Sequence, residues 1–316
     1  MKDRNMNSDN SFLIEKLKSS EYTDEQIKLI CDGLSRDKFT TFRINNIKCE
    51  DKETLLKSLD DLDLKYRAFK DINDAYILDN LMQNSGFDSR TGLKIENLKF
   101  YENGEIYIQS FSSMLPVLVL EPKENENILD MCAAPGSKTT MIQSISKNKV
   151  NLTAVELHKD RYEKLLYNLS KQGANALTFN MNANDLDNNF KFDKILLDAP
   201  CSGSGTLNLN SNKYKEYFTN LLIEKCVNTQ KKLIKKAFKL LKKGGTLVYS
   251  TCSLLKAENE DIIDFAIQTG FKIDFCRIKN DLNNMSMGSS VNEGVYIKIF
   301  PNELWEGFFV AKLTKS

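Results

Sequence analysis

The chain has 316 residues, 41% of them hydrophobic and 28% charged, enough for one large domain and a smaller one with real cores. Its 44 basic and 43 acidic residues leave a net charge of +1, so nucleic acid would have to be met by a local basic face rather than by global attraction. No run approaches the roughly 18 apolar residues of a membrane span, and the opening MKDRNMNSDNSF lacks the apolar centre of a secretory signal; a cytoplasmic protein with no membrane partner is expected.

Leu13, Ile14 and Leu17, then Ile27, Ile30 and Leu34, recur at helical spacing, and Thr23-Asp24-Glu25 reads as a helix start. Thr41 to Asn45 reads as a strand and Lys52 to Leu59 as a helix; Tyr76-Ile77-Leu78 and Glu105 to Ile108 read as short strands. From residue 125 the rhythm becomes strand, turn, helix, repeated. The strands are Asn127–Met131, Leu152–Glu156, Leu177–Asn180, Lys194–Asp198 and Thr246–Ser250, with helices from Lys138, from Arg161 to Gln172, and from Phe218 to Leu241. Leu222, Cys226, Leu233, Ala237 and Leu240 should form the apolar stripe of the last helix, with Gly244-Gly245 ending it. Such alternation predicts a doubly wound, mostly parallel α/β sheet preceded by a small α+β region, with ligands at the carboxyl ends of the strands. The polar strand ends are Asp130 to Gly136, Glu156, Asn182 to Asp185, Asp198 to Gly203, and Thr251-Cys252.

Seven cysteines, none in C-x-x-C spacing, and a single histidine argue against a disulfide framework or a metal site. A Ser-His-Asp or Cys-His mechanism would need His158, which reads as an exposed residue at a helix start. Cys31, Cys226 and Cys276 read as buried structural thiols. Cys201 and Cys252 differ, because each follows a buried-type strand in a loop beside Gly or Ser, where a thiolate can act as a nucleophile.

The loop DMCAAPGSKT at 130–139 lets a ligand approach backbone amides through small residues. It is not a phosphate-binding P-loop: Met131 stands where the first Gly belongs, and Ser137 separates Gly136 from Lys138. Glu156 ends the second strand, where an acid in this fold class hydrogen-bonds the ribose of an adenosine-containing cofactor.

Together, Tyr107-Ile108-Gln109-Ser110 before Ser113, LDMCAAPGSKTT, LLDAPCSGSG, YSTCS with Glu258-Asn259-Glu260, and GFFVAKL at 307–313 resemble the Sun (Nop2/Sun) family of RNA cytosine-5 methyltransferases. That family includes the bacterial ribosomal RNA small-subunit methyltransferases B and F. The resemblance runs from about Phe39 to the C-terminus, and TFRINNIK at 41–48 is similar to the short motif of the family's RNA-recognition-like domain. It implies a helical and RNA-recognition-like domain over 1–110 and a Rossmann-like methyltransferase domain over 111–316.

By the same resemblance, S-adenosylmethionine is the cofactor and 5-methylcytosine the product. Cys252 matches the nucleophile that attacks C6 of the base, and Cys201 the second cysteine that assists product release. Asp198 matches the acid at N3 of the base, and Lys138 a residue near both cofactor and base. Cys132, Ala133, Ala134, Pro135, Gly136, Ser137, Lys138, Glu156, Asn182 and Asp198 match the cofactor contacts. Ser137 departs from a usual Gly, and Asn182 stands where many members carry Asp; Asp185 is a substitute candidate for the adenine contact. Ile297 to Pro301 lacks the family's common Arg before Pro, and no PUA-type domain is seen. The expected substrate is an unpaired or flipped cytosine, with 16S ribosomal RNA ahead of transfer RNA, and the expected state is a monomer without metal. A DNA cytosine-5 methyltransferase, whose nucleophile lies in a Pro-Cys dipeptide like Pro200-Cys201, and a non-catalytic ribosome-assembly factor are the rival readings.

Overall fold

The computed structural model describes residues 10–62, 64–82, 95–276, 289–292 and 295–316; most of MKDRNMNSDNSF lies outside them. Helices α1 (Ser11–Ser19) and α2 (Asp24–Leu34) open the chain. A capping box starts α2, in which the Thr23 side chain accepts from Gln26 N while Thr23 N donates to Gln26 Oε1. Their apolar faces, Leu13, Leu17, Ile27, Ile30 and Leu34, pack against Leu207, Tyr214, Phe218, Leu254 and Leu255, far along the chain.

Strand β1 (Phe39–Ile44), helix α3 (Lys52–Asp61), β2 (Tyr66–Ala68), β3 (Ala75–Met82), a short helix α4 (Lys99–Glu102) and β4 (Ile106–Ile108) follow. The strands form an antiparallel sheet in the order β2-β3-β1-β4, the split β-α-β topology of RNA-recognition folds. Side chains alternate across it. Phe42, Ile44, Tyr76, Leu78 and Ile106 share a core with Leu55 and Leu59 of α3. Thr41, Arg43 and Ile77 point the other way and are buried as well. That second face is covered by the larger domain.

The larger domain contains helices α5 (Phe111–Leu120), α6 (Ser137–Ser146), α7 (Lys159–Gln172), α8 (Tyr214–Tyr217), α9 (Asn220–Leu240) and α10 (Glu260–Thr269). Its strands are β5 (Asn127–Asp130), β6 (Asn151–Glu156), β7 (Leu177–Asn180), β8 (Phe192–Asp198), β9 (Leu241–Thr251), β10 (Phe271–Asp274), β11 (Ser289–Asn292), β12 (Tyr296–Ile299) and β13 (Phe308–Lys315). The order is β11-β12-β13-β9-β8-β5-β6-β7, with β10 also on β13. The run from β7 to β9 is parallel, and β13 joins β9 antiparallel. Ile128, Leu196, Val248 and Val310 face α5 and α6, whereas Leu129, Ile195, Leu197, Leu247, Tyr249 and Phe309 face α9 and α10. Both sides are covered, as a parallel sheet requires. Among the described residues no helix is long and apolar enough to cross a membrane.

Two details of the sequence reading of α9 need correction. Its buried stripe runs through Ile223, Cys226, Gln230, Leu233, Ile234, Ala237 and Leu240, while Leu222 is only half-buried, one position off the inward face. Gly244-Gly245 does not cap the helix. Leu241 is already extended, and the glycines sit where the β8–β9 register shifts, Gly244 with φ +73°.

Candidate active site

The parallel register brings the chemistry together. Asp198 pairs with Ser250 across β8 and β9, so the loops leaving those strands start side by side. Ala199 N donates to Ser250 O at 2.9 Å, and Gly205 N to Cys252 O at 2.9 Å. Cys201 Sγ thereby comes to 3.1 Å from Cys252 Sγ. A third segment closes the group: Gly307 N donates to Gly205 O at 2.8 Å, and a Cβ on Gly205 would lie 2.1 Å from Gly307 O. Both positions need glycine for this backbone contact. The hydrogen bond shared with Cys252, which favours the protonated Cys201 thiol, and then burial push Cys201 well above its ordinary pKa.

Lys138, in the first turn of α6, reaches across to the same place. Its Nζ donates to Asp198 Oδ2 at 2.7 Å and to Ser113 Oγ at 3.0 Å, and lies 5.6 Å from the Phe308 ring centroid. The other Asp198 oxygen accepts from Ser250 Oγ at 2.7 Å. Burial opposes the Lys138 charge, but Asp198, Asp130 and Cys252 outweigh it and hold the pKa above the ordinary lysine value. The ammonium therefore stays charged beside both the acid and the thiol.

Along the same sheet edge, Asp130 ends β5 fully buried. Its Oδ2 accepts from Thr139 Oγ1 at 2.8 Å, and its Oδ1 has no hydrogen-bond partner. Burial pushes Asp130 up to about 7. Cys132, half-buried, has its thiol raised by burial and by Asp130. Ala133 and Ala134 are buried, Pro135 is exposed and Ser137 is half-buried. Gly136 adopts φ +105°, and a Cβ there would lie 3.0 Å from Leu165 Cδ1. Glu156 is buried at the end of β6; one oxygen accepts from His158 N at 2.9 Å, and the other lies 3.9 Å from Arg161. His158 itself is exposed, just before α7. Asn182 Oδ1 accepts from Asn184 N at 3.0 Å, closing a short turn, whereas Asp185 on that turn is exposed. A buried acid with one oxygen lacking a donor, a loop of small residues and a second buried acid one strand away suit an adenosine carrying a cationic amino acid.

A family model described as 16S rRNA methyltransferase RsmB/F matches residues 117–314. The chain belongs to this family. It is 39% identical over 224 residues to the tRNA (cytosine(72)-C(5))-methyltransferase of Pyrococcus horikoshii, covering 70% of this chain and 55% of that one. It is 38% identical over 219 residues to ribosomal RNA small subunit methyltransferase F of Vibrio cholerae, covering 67% and 46%. The chain thus matches about half the length of these curated relatives. Among solved structures, NSun6 from Pyrococcus horikoshii with SFG aligns with TM-score 0.79 and 25% identity, over 96% of this chain and 98% of that one. A methyltransferase homolog from Pyrococcus horikoshii aligns with TM-score 0.75 and 28% identity, over 97% and 99%.

The sequence reading took Gln109, Ser113 and Glu258 only as family landmarks. In the structure Gln109 receives Arg43 Nε at 2.9 Å and donates to Ser113 O at 3.1 Å, and Ser113 holds Lys138. The small sheet is thus wired to the Lys138–Asp198 pair, and Glu258 is wholly buried beside the two cysteine loops. Single-sequence patterns gave no signal for these links, which join residues as far as 66 positions apart between Arg43 and Gln109. In the family-variant stretch before Pro301, Lys298 is buried against Glu260 and over the Tyr22 ring at 4.8 Å.

Proposed function

We propose that this protein methylates C5 of a cytosine in RNA, using S-adenosylmethionine and a covalent bond from Cys252 to the base. The observation that carries the reading is the convergence of Cys252, Cys201, Asp198 and Lys138 at one strand-end crevice. Cytosine C5 is a weak nucleophile. Attack of the Cys252 thiolate on C6 forms an S–C6 bond and shifts electron density to C5. Asp198, which must bring a proton to donate, contacts N3 and draws electrons into the ring; Lys138 orients Asp198 and offsets the developing negative charge. The bound cofactor supplies an electrophilic methyl group to C5. Cys201, as thiolate, then takes the C5 proton and N3 gives its proton back to Asp198; the C5–C6 double bond re-forms as the S–C6 bond breaks, which is the release that Cys201 assists. Asp130 and the loop Cys132–Lys138 hold the cofactor's amino-acid end, with Glu156 at the ribose and Asn182 near the adenine.

16S ribosomal RNA is the favoured substrate, because ribosomal RNA methyltransferases F and B recur among the relatives. Transfer RNA is the second reading, supported by the 39% identical relative. The two-thiol site favours RNA over DNA, and a non-catalytic factor would have no need of the paired thiols. We further propose domains at 1–110 and 111–316, acting as a monomer in the cytoplasm. The experiment is covalent capture on 5-fluorocytosine RNA and on DNA of the same sequence, followed by bisulfite sequencing of RNA from a deletion strain. Capture on RNA and loss of one 5-methylcytosine are expected; capture on DNA alone would overturn the assignment.

A further inference from the structure

The geometry points to Glu258 as a positioning residue that sets the spacing between the two thiols. Its role rests on the two-thiol reading proposed above but does not follow from it. Glu258 is completely buried, yet none of its hydrogen-bond donors is a charged side chain. Its Oε1 accepts from Ser202 N at 2.8 Å and from Gln230 Nε2 at 3.3 Å. Its Oε2 accepts from Ser202 Oγ at 2.5 Å and from Ser253 Oγ at 2.6 Å. Ser202 directly follows Cys201, and Ser253 directly follows Cys252. One carboxylate oxygen therefore ties together the residues next to both sulfurs.

Burying a carboxylate this way is costly unless every lone pair is met, and here four donors meet it. The donors have little freedom to be satisfied elsewhere. Ser253 Oγ already accepts from Leu255 N at 3.1 Å and lies 2.9 Å from Ser204 Oγ, which in turn accepts from Leu254 N at 2.8 Å. A hydroxyl has one hydrogen and two acceptor sites, so the Ser253 hydrogen is directed at Glu258. A glutamine there would replace one acceptor oxygen with a donor and set it against two hydroxyl groups. The Glu258 backbone is fixed as well, since its carbonyl accepts from the buried Tyr249 hydroxyl at 2.6 Å. The clamp is thus anchored in the core and grips both loops. Glu258 touches neither sulfur through any of these bonds, so its action is on placement.

The test uses the full chain with Glu258→Gln, and the pair Ser202→Ala and Ser253→Ala, each of which removes one hydroxyl from the clamp. Diamide takes the two thiol hydrogens and joins the sulfurs, so the rate of Cys201–Cys252 disulfide formation, read by mass spectrometry, reports their spacing independently of catalysis. We expect that rate and kcat to fall roughly ten- to a hundredfold in Glu258→Gln, with KM for RNA nearly unchanged and a lower melting temperature in a chain that still folds. Should Glu258→Gln fail to fold, the serine variants decide by the same readouts. A disulfide rate equal to wild type in a folded variant overturns the assignment, whatever happens to kcat. Wild-type capture on 5-fluorocytosine RNA is run alongside; its absence would refute the two-thiol chemistry, while the disulfide rate would still decide the role of Glu258.

Discussion

The Arg43 guanidinium lies 2.8 Å from Thr140 Oγ1, pinning the small antiparallel sheet to the helix that begins at the cofactor loop. Nε of the same group donates to Gln109 Oε1, and Arg43 is buried, which lowers its pKa to about 10. This face of a four-stranded sheet is the one that commonly stacks bases in RNA-recognition folds. Here it is committed to the protein interior, so the RNA contact proposed for residues 1–110 would have to use other surfaces. Arg43→Ala should cost on the order of 3 kcal/mol in urea unfolding, because Gln109 and Thr140 lose a charged donor. Arg43→Met, which keeps the stem and removes the buried charge, should cost less. A wild-type unfolding midpoint in Arg43→Ala would show that the bridge contributes nothing.

The paired thiols predict opposite phenotypes. Cys252→Ala should abolish methylation and capture. Cys201→Ala should accumulate a covalent RNA adduct that survives a denaturing gel, because attack continues while release slows. An adduct in Cys252→Ala, and none in Cys201→Ala, would exchange their roles.

Asp130 makes stability depend on pH in a definite direction. Its folded pKa is raised from 3.8 to about 7, so the folded state holds the proton more tightly than the unfolded chain. The stabilisation is fully present below about pH 4 and is lost as pH rises through about 7. The shift corresponds to on the order of 4 kcal/mol. Asp130→Asn keeps a neutral side chain, so its unfolding free energy in the absence of cofactor should gain that much on wild type between pH 4 and pH 8. Parallel pH profiles for the two proteins would place the titration elsewhere.

S-adenosylmethionine should bind without RNA. Glu156→Ala should weaken it roughly tenfold or more by calorimetry, the loss of hydrogen bonds to a carboxylate. Unchanged affinity would remove Glu156 from the site and leave it as a partner of His158 N and Arg161 alone.

Cys252 must approach one face of the base at C6 while the methyl donor lies near C5, and neither approach is open inside a stacked duplex. A target cytosine in an RNA hairpin loop should therefore be methylated far faster than in a perfect duplex or a DNA loop. Rates should fall as salt rises, since a near-neutral protein still meets phosphate through local charge. Equal rates on all three substrates would defeat the RNA assignment.

The order of elements was legible in the sequence because it depends on local periodicity: apolar runs at 127–131 and 194–198 became central strands, and the polar residues at their ends marked the ligand edge. The motifs around Cys201 and Cys252 carried the family resemblance for the same reason, since each is a short contiguous string. What residues 11–34 pack against was not legible. Their helical spacing shows that they have an apolar face but not its partner, and the partner proved to be residues 207–255 and Phe300. Nor could the sequence show that Arg43, Gln109, Ser113 and Lys138 form one chain, or that Glu258 binds both thiol loops. Those links depend on the parallel pairing of β8 with β9 and on the small sheet docking against α6, which bring distant residues within hydrogen-bonding range. Spacing along the chain encodes neither, because long-range packing selects them only after the local elements exist.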